Sequence, residues 1–173
     1  MPNSPSLLKV QLKGLLHKIH CIEDSILALL LFGMILLSTS QIFLRNIFDS
    51  GIIWADPLLR VMVLWIGLLG ALAATRENKH ITIDLLTRFL SESKRDFAKA
   101  FTNIFSSGIS AILAFHSMRF VIMEYEAQSK AFSGISAWIL ELILPIAFTL
   151  IALRFFLHFI INLRDILTRK SKP

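Results

Sequence analysis

Apolar residues fall along this chain in four long runs, separated by short polar segments. Ser25 to Leu44 gives 20 consecutive positions without a charge, about the length a helix needs to cross some 30 Å of hydrocarbon. A second run covers 57–75, follows Asp56, and carries Arg60 near its start. A third covers 101–123, with His116 and Arg119 toward its end. The fourth covers 138–161, with Glu141 near one end and Arg154 near the other. These runs predict four transmembrane helices. The first is longer than the core of a signal peptide and no A-x-A site follows it, so it is expected to stay as an anchor.

Two further stretches follow the helical period more sparsely. Within 6–23, Leu8, Leu12, Leu15, Leu16 and Ile19 share one face, and Lys9, Lys13, His17 and His20 lie mainly elsewhere. That is the pattern of a helix lying in the headgroup plane. Leu85, Leu86, Phe89 and Leu90 give a short apolar face to a second interfacial helix expected over 83–99. There Ser93 and Asp96 make a capping-box-like start that leads into the third span. Residues 162–173 form a basic tail.

Composition agrees with the pattern. Of 173 residues, 55% are hydrophobic and 17% charged, against about 45–50% and about 25% in soluble domains. A soluble fold and a disordered chain are both excluded. The net charge of +6 has a topological origin. Thirteen of the 18 basic residues lie before the first span, between the second and third, or after the fourth. The positive-inside rule then places both termini and the middle loop in the cytoplasm. Nucleic-acid binding, which needs a concentrated basic surface, is not expected. The expected fold is an all-α integral membrane protein, a single membrane domain of four transmembrane helices over 1–173 with interfacial helices at the N-terminus and in the middle loop. Cys21 is the single cysteine, so an internal disulfide is excluded.

Asp56 followed by Pro57 reads as a strong helix start. Trp54 suits the outer interfacial belt, and Asp56 and Arg60 are spaced for an i,i+4 pair. Arg119 and Glu141 both lie near the outer ends of their spans, where an unpaired charge is costly, and are expected to pair across the helix interface. Arg154 is expected to snorkel to the cytoplasmic headgroups. Arg76, Lys79 and His80 stand at the same edge, suited to anionic lipid or partner loops. His116 and His158 belong to opposite ends of their spans, so they do not make a haem pair. No nucleophile-plus-base constellation and no phosphate-binding glycine loop appears, so no enzyme activity and no cofactor or metal is expected. No span carries a midplane carboxylate or a broken-helix ion site. The chain lacks the parts of a transport core, which points to a subunit that supports transport done elsewhere.

Several of these residues, in order, resemble one family. They are Arg45-Asn46, Trp54 with Asp56, Trp65-Ile66-Gly67-Leu68-Leu69-Gly70-Ala71, and Arg76 with His80-Ile81-Thr82-Ile83-Asp84-Leu85, followed by Arg119 and Pro145. The set resembles the small membrane subunit of the tripartite ATP-independent periplasmic (TRAP) transporters, the DctQ-like family. Where that family commonly has a second acid directly after the first, this chain has Pro57. The resemblance implies a non-catalytic scaffold in the bacterial inner membrane. It would pair with a large elevator-type membrane subunit that is driven by sodium and receives an organic acid, such as sialic acid or a C4-dicarboxylate, from a periplasmic binding protein. Sodium coupling would lie in the large subunit, and a bound phospholipid is compatible with the scaffold. Trp54, Asp56, Arg60, Trp65, Gly67, Gly70 and Ala71 are the candidate interface, the small residues allowing close backbone approach. Packing within the subunit is the competing role for those small residues. A self-sufficient four-helix multidrug-type exporter acting as a homodimer is the alternative, with Glu141 as its only acidic group within a span.

Overall fold

The computed structural model describes residues 5–76 and 92–170. Its elements are α1 (Pro5–Phe48), α2 (Ala55–Ala74), α3 (Glu92–Glu126), the short α4 (Ala137–Glu141) and α5 (Ile143–Lys170). Four stretches are long and apolar enough to cross a membrane: Ile19–Phe48, Ala55–Ala74, Asp96–Glu126 and Ala137–Arg164. All four expected spans are present, and the described residues contain no strand beyond an isolated bridge between Lys130 and Ser136. The described chain divides into two compact units, one ending at Ala73 and the other beginning at Ala74.

In the first unit, α1 is a single helix of 44 residues. The separate interfacial helix expected over 6–23 is therefore continuous with the first span, because no proline or helix-ending signal stands between Ile22 and Ile26. The side chains of its expected apolar face up to Leu16 lie outside the described residues. Asp49, in the left-handed region at φ 46°, ends α1, and the chain turns back through Gly51. Helix α2 starts at Ala55, two residues earlier than an Asp56 cap allows. The Trp54 carbonyl takes the first helical hydrogen bond, from the Leu58 N–H at 3.2 Å. Large apolar side chains stand exposed along α1, Leu29 at 73% and Phe32 at 63% among them, as expected of a helix whose solvent is lipid.

In the second unit, α3 packs along α5. The face it buries includes Ala100, Asn103, Ser107, Ser110 and Val121, spaced by three, four, three and eleven residues as one helical stripe requires. Facing them, Ala147 and Ile151 of α5 are buried. Small residues on both helices let the backbones approach, the packing mode that works without a hydrophobic drive. The Ser107 hydroxyl donates to the Ala152 carbonyl at 3.0 Å, and this fixes the register of the pair. Asn103 is only 1% exposed, and its Oδ1 accepts no hydrogen bond among the described residues. Leucine there should remove a buried polar penalty of about 1–3 kcal/mol. Asn103→Leu is therefore expected to raise the thermal midpoint in detergent by about 2–4 °C per kcal/mol recovered. A lowered midpoint would show that the amide is satisfied in the folded protein.

The stretch 92–99 forms the first turns of α3, so Ser93 lies inside that helix rather than capping it. The rest of the expected 83–99 helix lies outside the described residues. The fourth span is interrupted. Helix α4 ends at Glu141 and α5 begins at Ile143, although hydrogen bonds from Leu142 to Trp138 (3.1 Å) and from Ile146 to Leu142 (3.3 Å) continue the ladder on either side. Proline at 145 has no N–H to give the Glu141 carbonyl, and this missing bond breaks the helix.

A candidate partner-binding face and its outer latch

The apolar stretch ending α1 carries one polar side chain that the turn to α2 needs. Gln41 is 4% exposed and uses both ends of its amide on Ile52. Its Oε1 accepts from the Ile52 N–H at 3.0 Å, and its Nε2 donates to the Ile52 carbonyl at 3.1 Å. The same Nε2 stands 3.5 Å from the Asp56 carboxylate. One turn further along α1, Arg45 Nη2 pairs with Asp56 Oδ2 at 2.5 Å. The chain passes close above this group. A Cβ on Gly51 would come within 3.0 Å of Arg45 Nε and 3.2 Å of Gln41 Nε2, so only glycine fits without displacing the latch.

This geometry corrects one expectation. Asp56 does not pair with Arg60 four residues on. Arg45 and Gln41 arrive from α1 and take the carboxylate instead. Arg60 is exposed and lines an open groove of about 400 Å³, between Met34, Ile35, Ser38 and Thr39 on α1 and Leu59 and Val63 on α2.

Below Arg60 the same face of α2 continues inward. Arg60, Val63, Gly67, Ala71 and Ala74 follow at three- and four-residue steps, and all five are exposed. Built Cβ atoms on Gly67 and Gly70 meet no heavy atom within 4 Å. Within the first unit the glycines of this helix are therefore not used for packing. Gly33 of α1 is different, since its Cβ would lie 3.3 Å from Met62. Trp65 is half-buried and stands two residues from Gly67, about 160° around the helix. The structure thus separates the expected interface set. Arg60, Gly67 and Ala71 share an open face with Gly70 at its margin, Asp56 belongs to the latch, and Trp65 lies on the far side. Trp54 is 43% exposed just before α2.

In the second unit the expected Arg119–Glu141 pair does not form. The Ser107–Ala152 register puts the two residues at similar height, but Arg119 stands two residues from buried Val121, about 160° from the face that packs on α5. It is exposed. Glu141 interacts electrostatically with Glu124 instead, and its buried Oε2 accepts no hydrogen bond among the described residues. Arg154 is half-buried, and its Nη1 donates to Thr75 Oγ1 at 3.4 Å, so part of its guanidinium tethers the residue that follows α2. Arg76, next to Thr75, is also half-buried. Lys79 and His80 lie outside the described residues. The same register sets His116 and His158 on opposite sides of the Ser107–Ala152 level, about 20 Å apart along the helices, too far to share an iron.

Sequence reasoning missed Gln41 and Gly51. The signal for the first was available. A lone amide near the end of an apolar run must find partners, and the nearest backbone without helical bonds is the turn that follows.

Helices long enough to cross a bilayer four times, with an open apolar surface and polar groups gathered at the turns, define a multi-pass membrane protein. Residues 34–165 match the family described as tripartite ATP-independent periplasmic transporters, DctQ component, and the chain belongs to that family. It is 30% identical over 128 residues to the sialic acid TRAP transporter permease protein SiaT of Haemophilus influenzae, a match covering 72% of this chain and 20% of that protein. It is 29% identical over 118 residues to a TRAP transporter small permease protein from the same species, covering 68% of this chain and 70% of that one. The chain thus spans about a fifth of the first relative's length and more than two thirds of the second's. It is a transport component and not an enzyme.

Proposed function

We propose that this chain is the scaffold subunit of a TRAP uptake system in the bacterial inner membrane, with both termini cytoplasmic, and that it transports nothing by itself. Its partner is a larger elevator-type membrane subunit that carries the sodium-coupled movement of an organic acid. A periplasmic binding protein delivers the substrate in transient encounters. The observation that carries the reading is the open, small-residue face of α2, where Gly67 and Gly70 meet nothing within 4 Å. A helix interior rich in glycine is costly, and here the first unit gains no packing from it. A partner helix approaching closely would recover that cost.

Two further points support the reading. The named relative SiaT is a sialic acid permease in which the matching region is one fifth of the polypeptide, so a related segment works there within a much larger transport protein. That relative favours sialic acid among the organic acids considered. In addition, the single acid of the fourth span, Glu141, lies at its outer end beside Glu124 and not at a midplane site. Inner-edge Arg76, Lys79, His80 and the outward part of Arg154 would hold anionic headgroups, and a bound phospholipid there would serve as a structural ligand.

Purification of the tagged chain in mild detergent, co-expressed with the large subunit, is expected to recover both in equal amounts. Liposomes holding this chain alone are expected to show no uptake, and liposomes holding both, supplied with the binding protein and a sodium gradient, to accumulate substrate. Transport by the chain alone would overturn the proposal in favour of a homodimeric exporter.

A further inference from the structure

The small-residue face is open along its length, but its outer end is chemically marked. Arg60 projects from the sixth position of α2, about 7–8 Å along the axis from Ala55. A guanidinium at that depth is expensive unless it is paired. The nearest acid on its own helix, Asp56, is taken by Arg45 at 2.5 Å, and no ion pair or hydrogen bond to Arg60 occurs among the described residues. Around it the groove offers apolar walls from Met34, Ile35, Leu59 and Val63, with the hydroxyls of Ser38 and Thr39 at its side. Its volume of about 400 Å³ falls in the range of specific binding clefts. Below the groove, Val63, Gly67 and Ala71 continue the same face in steps of one helical turn.

We infer that the groove seats a membrane helix of the large partner subunit, and that this helix carries an aspartate or glutamate level with Arg60. The inference rests on the partner-facing reading of α2 and adds the chemistry by which the partner is recognised. The small stripe sets how closely the two helices approach but is uniform along its length, so it does not specify register. A charge at one end does, because sliding the partner by one turn leaves both the guanidinium and the carboxylate unmatched in hydrocarbon. The Arg45–Asp56 pair has a role here too. By occupying Asp56, it leaves Arg60 to the incoming helix.

The test uses the two-subunit complex. Arg60→Glu is expected to weaken association by about 30-fold or more, the loss that follows when one charge of a buried pair is left facing its like. The variant chain alone should keep the wild-type thermal midpoint, since Arg60 holds nothing among the described residues. Selection for restored uptake in the Arg60→Glu background should return Asp or Glu to Lys or Arg changes, all in the outer turns of one helix of the large subunit. Wild-type association of Arg60→Glu would overturn the inference, as would suppressors scattered over several helices. Native mass spectrometry with phosphatidylglycerol provides a third arm. A lipid retained by the wild-type complex and lost in Arg60→Gln, with association unchanged, would assign the groove to a phospholipid and also overturn it. If the wild-type chain fails to bring down the large subunit at all, the scaffold reading fails first.

Discussion

Gln41→Leu is expected to be the most destabilising single change in the first unit. The substitution keeps volume and hydropathy suited to an apolar span, so a membrane helix of the same length should still form. What it removes is the pair of hydrogen bonds to Ile52, made at 3.0 and 3.1 Å by the two ends of one amide. The Ile52 N–H and carbonyl lie in a turn outside any helix; the carbonyl also accepts from the Ala55 N–H at 3.1 Å, whereas among the described residues the N–H has Gln41 alone. Leaving the N–H unpaired at a half-buried position costs about 1–3 kcal/mol. The thermal midpoint in detergent should fall by about 2–4 °C for each kcal/mol, and protease cleavage within 49–54 should accelerate. Alanine at Arg45 should cost less, because the Arg45–Asp56 pair is half-exposed and such pairs contribute about 0–1 kcal/mol. A Gln41→Leu protein with an unchanged midpoint and an uncut turn would refute the assignment of the latch to this amide.

The second large effect separates folding from assembly. Leucine at Gly67 and Gly70 together is expected to leave the isolated chain as stable as the wild type or more so. Each position is open to 4 Å, and replacing a helical glycine recovers about 0.5–1 kcal/mol of propensity. Association with the large subunit should nevertheless fall by at least about tenfold, because two added side chains hold a facing helix away from the α2 backbone. Uptake should be lost with it. The pair of readouts, a thermal midpoint for the chain and recovery of the complex, distinguishes this outcome from misfolding. If both the double variant and its complex behave as wild type, the partner does not approach along α2.

Much of the fold was legible because hydrocarbon imposes a simple rule. A chain that must bond its own backbone across a bilayer writes each span as a long apolar run, and all four runs correspond to helices. The break at Leu142 has a backbone cause of the same kind, the N–H that Pro145 lacks. The pairings of charges were less legible. Asp56 and Arg60 have good helical spacing, but spacing on one helix says nothing of a competitor arriving from the next, and Arg45 comes from α1. Arg119 and Glu141 match in depth, a quantity that sequence position supplies. They miss in rotation, which depends on the face of α3 that packs, and the polar residues Asn103, Ser107 and Ser110 obscured that face. The small residues of α2 were visible in the sequence, but packing inward and packing outward write the same letters. Within the first unit, the empty space beside Gly67 and Gly70 separates the two.

The continuity of α1 has a mechanical side. Forty-four residues in one helix make a rod about 66 Å long, roughly twice the hydrocarbon thickness it must cross. With no joint between span and extension, any change in the tilt of the span is conveyed to the N-terminal end and magnified by the length of the arm. A rotation of about 10° about the latch end displaces the far end by about 11 Å, simple leverage on a helix of that length. Whatever grips that far end therefore controls the angle at which the outer turn is held.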